Sequence, residues 1–455
     1  MKRNLLIIIF ITVATGLFAQ WIPQATGFAA ASRGINYIHC VDANVVWATA
    51  YDGSGGGLYV TEYTKTTNGG TLWVPGQVLS QTGYGLGNIT AIDATTAWAA
   101  VFFNGTQNNT CGVYKTTDGG TTWTQQNVLQ GASSFANNVY FWDANNGMCH
   151  GDLRDGYFEV YTTTDGGTTW TRTPQANFTG VPILSGEGGW TGVIDHTGTN
   201  TVIFGTNKGN LYISNDRGLN WVASFTGASA SGTNGGINEI AFKDPMHGLV
   251  AHVNASNLYD LYETSDGGTT WQQVSYFGPA YANSLAYVPG TPNTYVCTGA
   301  ATNVSGCSYS YDGGHTWTEF NGTNGVQFLA TRWVDNATGW AGDFTDAVTP
   351  STLGGMYRFN GVLTEILQMD PEKGGVMIYP NPNQGQFTLT IVGFENRDVQ
   401  IDIYDAIGKH VFSGNENQSL ISYNKAMDLS ALPAGIYIAR IQCGDRLFQE
   451  RVVIR

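Results

Sequence analysis

Carboxylates recur at one fixed phase along this chain and scatter at others, and the two sets suit different chemistry. The phased set is Asp118, Asp165, Asp216, Asp266 and Asp312, with Asn68 opening the series. The scattered set includes Asp152, Asp155, Glu187, Asp195 and Asp343. Glycoside hydrolysis needs two carboxylates about 5 to 9 Å apart, one acting as acid and the other as nucleophile or base. Any two of the scattered set qualify only if folding brings them together, which their spacing does not reveal. Binding an anionic substrate would instead need converging arginines. Residues 21–370 hold Arg33, Arg154, Arg172, Arg217, Arg332 and Arg358, of which Arg172, Arg217 and Arg358 fall in or beside the repeated turns. The run Asp152-Leu153-Arg154-Asp155-Gly156 lacks the spacing of a calcium loop. No Cys/His pattern suits zinc, and the glycine-rich residues 52–57 precede no helix that would complete a phosphate cradle. No cofactor or metal is expected.

The phased residues belong to an octapeptide: TTNGGTLW at 66–73, TTDGGTTW at 116–123 and 163–170, SNDRGLNW at 214–221, TSDGGTTW at 264–271 and SYDGGHTW at 310–317. Its third positions step by 50, 47, 51, 50 and 46 residues. A fainter signal keeps the same phase: Asp42, Asp93, Asp143, Asp244 and Asp335 each stand five residues before Trp47, Trp98, Met148, Leu249 and Trp340. Each unit reads as two apolar strands around a tight turn, then a third strand (Gly57-Leu58-Tyr59-Val60 in the first) and a short fourth after the octapeptide. Four strands in about fifty residues make one blade of a β-propeller. Within the octapeptide, the Asp or Asn can cap the N–H groups of its own turn, and the Gly pair permits positive φ. The closing Trp73, Trp123, Trp170, Trp221, Trp271 and Trp317 are expected to bury their rings between neighbouring blades.

This motif resembles the Asp-box, or BNR, repeat of sialidases, sortilin-type receptors, photosystem assembly-factor propellers and two-propeller glycosidases. The resemblance implies a fold more than a function, and it implies that the repeated Asp residues are structural. The segment starting at Gln20-Trp21 resembles the strand after each octapeptide, so units begin at Trp21, Trp73, Trp123, Trp170, Trp221, Trp271 and Trp317. The seventh ends on a decayed turn at 354–361. The expectation is an all-β chain, a seven-bladed β-propeller over 20–367, with the N-terminal strand closing the last blade and removing an open edge. The alternative is that residues 362–367 take that place. A sialidase would need three convergent arginines with a Tyr/Glu pair and an Asp, and Ser32-Arg33-Gly34-Ile35 departs from that family's Arg-Ile-Pro signature.

After a polar linker at 368–375, alternating strands over 376–455 suggest a small β-sandwich. The segment resembles the type A C-terminal sorting domain of the Bacteroidetes type IX secretion system. The resemblance is carried by Tyr379-Pro380-Asn381-Pro382, the turn at 405–409, the run at 432–437 with Gly435 and Tyr437, and the basic tail from Arg451 to Arg455. It implies export to the medium or cell surface, with the secretion machinery as partner. At the other end Lys2 and Arg3, the apolar run 5–13 and Leu17-Phe18-Ala19 read as a secretory signal over residues 1–19, with no membrane span left after cleavage.

Composition narrows the partners. Charged residues are 12% of the 455, against about 25% in ordinary domains. Residues 21–370 carry 10 Lys+Arg and 25 Asp+Glu, which excludes nucleic acid as a partner because that needs clustered cations. Cys40, Cys111, Cys149, Cys297, Cys307 and Cys443 form no disulfide framework. Cys297 and Cys307 could pair across a hairpin, whereas Cys149 and Cys297 hold positions that Ala fills in other repeats, as buried thiols would. The expected function is a secreted or cell-surface module binding a glycan or a protein, the alternative a glycoside hydrolase using central carboxylates.

Overall fold

The computed structural model describes residues 20–228, 235–254, 256, 258–343, 355–363, 375–379, 383–392, 398–417 and 422–455. The expected signal segment, most of the linker, and Pro380, Asn381 and Pro382 lie outside the described residues. The chain divides into two compact units, the first ending at Thr364 and the second beginning at Glu365.

Unit one is all-β and propeller-like. Its described residues form seven consecutive sheets. The first strands, running inward to outward in each sheet's order, are Arg33–Cys40 (sheet I), Tyr84–Ala91 (II), Ala136–Phe141 (III), Gly189–Thr197 (IV), Glu239–Phe242 (V), Ser284–Tyr287 (VI) and Phe328–Asp335 (VII). Sheets I to VI complete themselves with the next three strands of the chain. Sheet VII takes its fourth strand from the N-terminus, where Trp21–Ala25 pairs antiparallel with Gly355–Phe359. Sheet IV has an additional strand, Phe178–Gly180, parallel to its outer strand Trp221–Phe225.

The second strands explain the unbroken apolar runs of the sequence. In Ala97–Phe103 every residue but the last is buried, because both faces meet a neighbouring sheet. Small and large residues alternate there, so Trp98 faces one seam while Ala97 and Ala99 face the other. The first unit accordingly has no single core. Its buried side chains form seven clusters, each spanning one sheet and the next, from Trp47 with Leu86 and Ala99 (I and II) to Trp340 with Ile35 and Ala48 (VII and I). Apolar packing is thus spent between sheets, leaving the inner strand edges to polar side chains.

The octapeptide turns are tightly tied. Thr116 Oγ1 accepts the Gly120 N–H at 2.9 Å and donates to Asp118 Oδ1 at 2.8 Å. The N–H and hydroxyl of Thr122 donate to Asp118 Oδ1 and Oδ2 at 2.9 and 2.6 Å. Gly119 and Gly120 take φ of +74° and +89°, where a side chain would be strained. Asp165, Asp216, Asp266 and Asp312 repeat these bonds, and Asn68 Oδ1 accepts the Leu72 N–H at 2.9 Å. Each turn also meets the preceding sheet: Lys65 Nζ donates to Gly119 O at 2.7 Å, and Lys115 Nζ to Gly166 O at 2.8 Å. The Trp221 and Trp317 indoles are buried and donate to Gly218 O and Gly314 O at 3.0 and 2.9 Å.

Hydrogen bonds from the hydroxyl and N–H of the later threonine (Thr122, Thr169, Thr270), and from the earlier one (Thr116, Thr163, Thr264), hold Asp118, Asp165 and Asp266 down at about 2. A depressed carboxyl stabilises the fold fully above its ordinary value of 3.8 and loses that contribution as pH falls toward about 2. The melting temperature is therefore expected to drop across that acid window. The drop should flatten in the triple variant Asp118→Asn, Asp165→Asn, Asp266→Asn, since Asn68 shows that an amide fits the turn. Thermal melts at stepped pH check this, and equal slopes for the two proteins would contradict it.

One sequence expectation needs correction. The third strand of sheet I is Glu62–Thr66, and residues 57–60 are loop, because Gly55 and Gly57 adopt positive φ and break the strand. Of the two readings of Cys297 and Cys307, the buried thiol is the one found, for both are free and buried. They are not register partners, for Cys297 lies opposite Ser308 and Cys307 opposite Thr298. Their side chains enter different seams, Cys297 toward sheet V and Cys307 toward sheet VII.

Unit two is a β-sandwich-like pair of sheets. One comprises Gly375–Tyr379, Gln386–Val392 and Ser422–Asp428; the other His410–Asn417, Asp398–Asp405, Gly435–Cys443 and Arg446–Ile454. Alternation along Asp398–Asp405 buries Val399, Ile401 and Ile403 against Phe387, Leu389 and Ile391. Tyr437 is buried and its hydroxyl donates to Pro433 O at 2.7 Å, while Arg451 and Arg455 are exposed.

Candidate functional site: the inner-strand cavity

The first strands set a layer of side chains by register. His39, Thr90, Tyr140, Asp195, Ala241, Ala286 and Arg332 lie opposite Trp47, Trp98, Met148, Ile203, Leu249, Val296 and Trp340 of their second strands. Each first strand touches the first strand of the next sheet, and that of sheet VII touches that of sheet I. The layer therefore surrounds a common space.

That space holds two chambers. One, of about 240 Å³, is lined by Asn36, Trp190, Asn238, Glu239, Ser284 and Thr331 among others. The second, of about 370 Å³, is lined by His39, Cys40, Tyr140, Asp195, His196, Lys243 and Tyr287 among others. Tyr37, Ile38 and Arg332 line both, so the guanidinium stands at their junction. The second chamber lies toward the octapeptide turns, because the first-strand ends lead into turns whose carbonyls accept octapeptide N–H groups, as Asn44 O does from Gly69 at 3.1 Å.

The wall is stitched from sheet to sheet. Asn88 accepts from Val139 N at 2.9 Å and donates to its carbonyl at 3.0 Å. Asn138 Oδ1 accepts from Gly192 N at 2.8 Å, Asp195 Oδ2 from Phe242 N at 2.7 Å, and Glu239 Oε2 from Leu285 N at 3.3 Å. His39 Nε2 meets Ala91 O at 2.9 Å. These bonds fix the side chains in place, as a preformed binding wall requires.

Burial dominates the electrostatics. It pushes Asp195 up to about 6 and Glu239 up to about 8, against the opposing pull of Arg332 and of the backbone N–H each accepts. It pushes His39 down to about 4 and His196 down to about 3, so both rings are neutral near pH 7. The Cys40 thiol is raised to about 12, also by burial. Arg332 itself makes no hydrogen bond or ion pair among the described residues; its nearest ring is Tyr37, whose centroid is 5.9 Å away. Burial works against its charge, while Tyr37, Asp195, Glu239 and Cys40 favour it and prevail.

Of the five carboxylates singled out from sequence, only Asp195 lines this space. Asp152 is spent on Asn137 Nδ2 and Gly189 N at 2.9 and 3.1 Å, and Glu187 on Leu184 N and Asn210 Nδ2 at 2.7 and 3.0 Å. Asp155 is exposed and pairs with Arg172 at 2.9 Å, and Asp343 ends the second strand of sheet VII. Glu239 escaped the sequence reading. Among the arginines, Arg33 is clamped by Asp52 and Glu62, Arg154 pairs with buried Glu159 at 3.3 Å, and Arg217 with Asp143 at 3.3 Å. Arg332 alone of the six lines the chambers. No cluster of three or more metal-ligating side chains occurs among the described residues, and no helix among them is long and apolar enough to cross a membrane.

Comparison with curated proteins returns no match. Solved structures similar to this chain include "YCF48 bound to D1 peptide", at 16% identity and a TM-score of 0.48 over 76% of this chain and 98% of that one. YCF48 from Cyanidioschyzon merolae matches at 14% and 0.49 over 75% and 98%. The Niastella koreensis GH74 enzyme matches at 14% and 0.24 over 91% and 69%. At the C-terminus, residues 377–455 match a family model described as a secretion system C-terminal sorting domain, and the chain therefore ends in a sorting domain.

Proposed function

We propose that this chain is a seven-bladed Asp-box β-propeller delivered by the type IX secretion system to the medium or the cell surface, where it binds a glycan or protein ligand. The proposed path begins with removal of residues 1–19, with Tyr379, Gly435, Tyr437, Arg451 and Arg455 belonging to the sorting signal. The Asp-box residues are read as structural, since their carboxylates are occupied by their own turns. One observation carries the binding reading: an inner-strand cavity whose polar wall is fixed by bonds between sheets while the guanidinium at the junction of its chambers is unpaired among the described residues. The test screens the chain 20–455 on a glycan array and by co-purification from the cell surface, alongside export of a chain truncated after residue 367. Binding by the former and retention of the latter inside the cell are expected. Neither a glycan nor a protein captured, or export unchanged, would count against it.

A second reading, hydrolysis, has its own support in Asp195 and Glu239. These are raised carboxylates on adjacent first strands, Asp195 lining the larger chamber and Glu239 the smaller, on either side of the Arg332 junction. Against it, each has one oxygen committed to a backbone N–H. Turnover of a polysaccharide panel that vanishes in both Asp195→Asn and Glu239→Gln would decide for it.

A further inference from the structure

We propose that the inner-strand cavity takes one sugar-sized carboxylate, a hexuronate, with its acid group on Arg332 and its hydroxyls on the wall of the smaller chamber. This rests on the binding reading above and names its ligand class.

Three observations carry it. The guanidinium is the one strong donor at the junction of the chambers, and no carboxylate lies within ion-pairing distance of it among the described residues. A half-buried cation with unspent donors favours a planar anion that can accept two parallel bonds. The smaller chamber, at about 240 Å³, is too small for a polymer and is walled by short hydroxyl and amide groups, Asn36, Asn238, Ser284 and Thr331. Trp190 adds a ring on which the apolar face of a sugar can rest. Thr331 Oγ1 donates to Trp340 O, and the Oδ1 atoms of Asn36 and Asn238 accept from Thr49 Oγ1 and Val253 N, which leaves the two amide N–H groups as donors to a ligand. An inorganic anion would use the cation but leave those amides idle, and a neutral sugar would leave the cation idle.

The charges around Arg332 give the affinity a pH dependence with a definite sign. Sheet I faces it with Tyr37, Cys40 and His39, and sheet III with Tyr140. Sheet IV contributes Asp195 and His196, sheet V Glu239 and Lys243, and sheet VI Tyr287. The histidines are neutral above about 4, and Lys243 is held off by Asn293 Oδ1 at 2.8 Å. Glu239, at about 8, is mostly protonated near neutrality. Asp195, at about 6, is the anion that a bound carboxylate must tolerate, and it is discharged as pH falls through that value. Binding therefore strengthens toward acid pH.

Calorimetric titration of the chain 20–455 with glucuronate and galacturonate, beside glucose and inorganic phosphate, tests this. A uronate should bind at pH 5.5 more tightly than at pH 7.5, and glucose and phosphate at least about tenfold more weakly. Arg332→Gln should lose about tenfold or more, Arg332→Lys should recover part of it, and Asp195→Asn should remove most of the pH dependence, leaving the part that the ionisation of Glu239 above neutrality supplies; melts certify that each variant folds. Equal binding of glucose or phosphate, or uronate binding indifferent to Arg332→Gln, overturns the proposal. If the glycan array yields a ligand whose affinity Arg332→Gln leaves intact, the uronate assignment falls while the binding reading stands.

Discussion

A chain that starts at Thr26 is expected to lose most of its stability, and Trp21→Ala alone to lose about 3–5 kcal/mol in guanidinium denaturation. The strand Trp21–Ala25 makes a five-residue ladder from Trp21↔Phe359 to Ala25↔Gly355. Gln20 extends it, its carbonyl accepting from Asn360 N at 2.7 Å and its side chain from Asn321 N at 3.1 Å. The Trp21 ring is 4% exposed and packs 5.5 to 6.1 Å, centroid to centroid, from Phe320, Phe328, Trp333 and Phe359. Against a total stability of about 5–15 kcal/mol, that one ring is a large share. Removing the strand also bares the edge of Gly355–Phe359, which invites association with other chains. Trp21 Nε1 has no partner among the described residues, so Trp21→Phe should cost much less than Trp21→Ala. A truncated chain melting with the intact one would show that the proposed closure of the ring contributes nothing.

How far the sequence could be read depends on which residues keep phase. The octapeptide marks sheets I to VI and the turn aspartate sheets I, II, III, V and VII, because both are local hydrogen-bonding devices written within eight residues. The inner layer is also in phase, though fainter: His39, Thr90, Tyr140, Ala241 and Arg332 each stand three residues before Asp42, Asp93, Asp143, Asp244 and Asp335, and Glu239 stands five before Asp244. Counting back from each turn would have placed Arg332 in that layer, and Glu239 two residues further back on the same strand face as Ala241. Sheet IV hides Asp195 from that count, since its first strand shifts register between Gly189 and Ile194 and its turn carries no aspartate. The parallel strand Phe178–Gly180 was beyond reach for a different reason: three half-exposed residues have no period to detect. Arg33 was legible as a charge, but its clamp by Asp52 and Glu62 depends on long-range strand pairing that spacing does not encode.

Trp98→Ala should be about as costly as Trp21→Ala, about 3–5 kcal/mol, although Trp98 lies far in sequence from the strand Trp21–Ala25. Its side chain is wholly buried in the seam between sheets II and III, stacked on Phe141 at 3.6 Å with the planes 6° apart. Lys115 Nζ lies 5.0 Å from its centroid, and its indole N–H reaches Gly166 O at 3.4 Å. Truncation therefore opens a cavity between two sheets and frees the octapeptide turn of sheet III as well. Trp98→Met should cost less, because Met148 and Leu249 fill the same register in sheets III and V. Leu72→Ala, at a side chain 61% exposed, should change stability by no more than about 0.5 kcal/mol. The denaturant slope then distinguishes two ways of failing. Each apolar cluster joins only two sheets, so in an open array a weakened seam would part alone and lower the slope. In a ring tied shut by Trp21–Ala25 a single seam cannot part without straining the rest, and Trp98→Ala should shift the midpoint while leaving the slope unchanged. A reduced slope in Trp98→Ala, with Trp21 intact, would mean that the sheets are stacked without the ring's constraint.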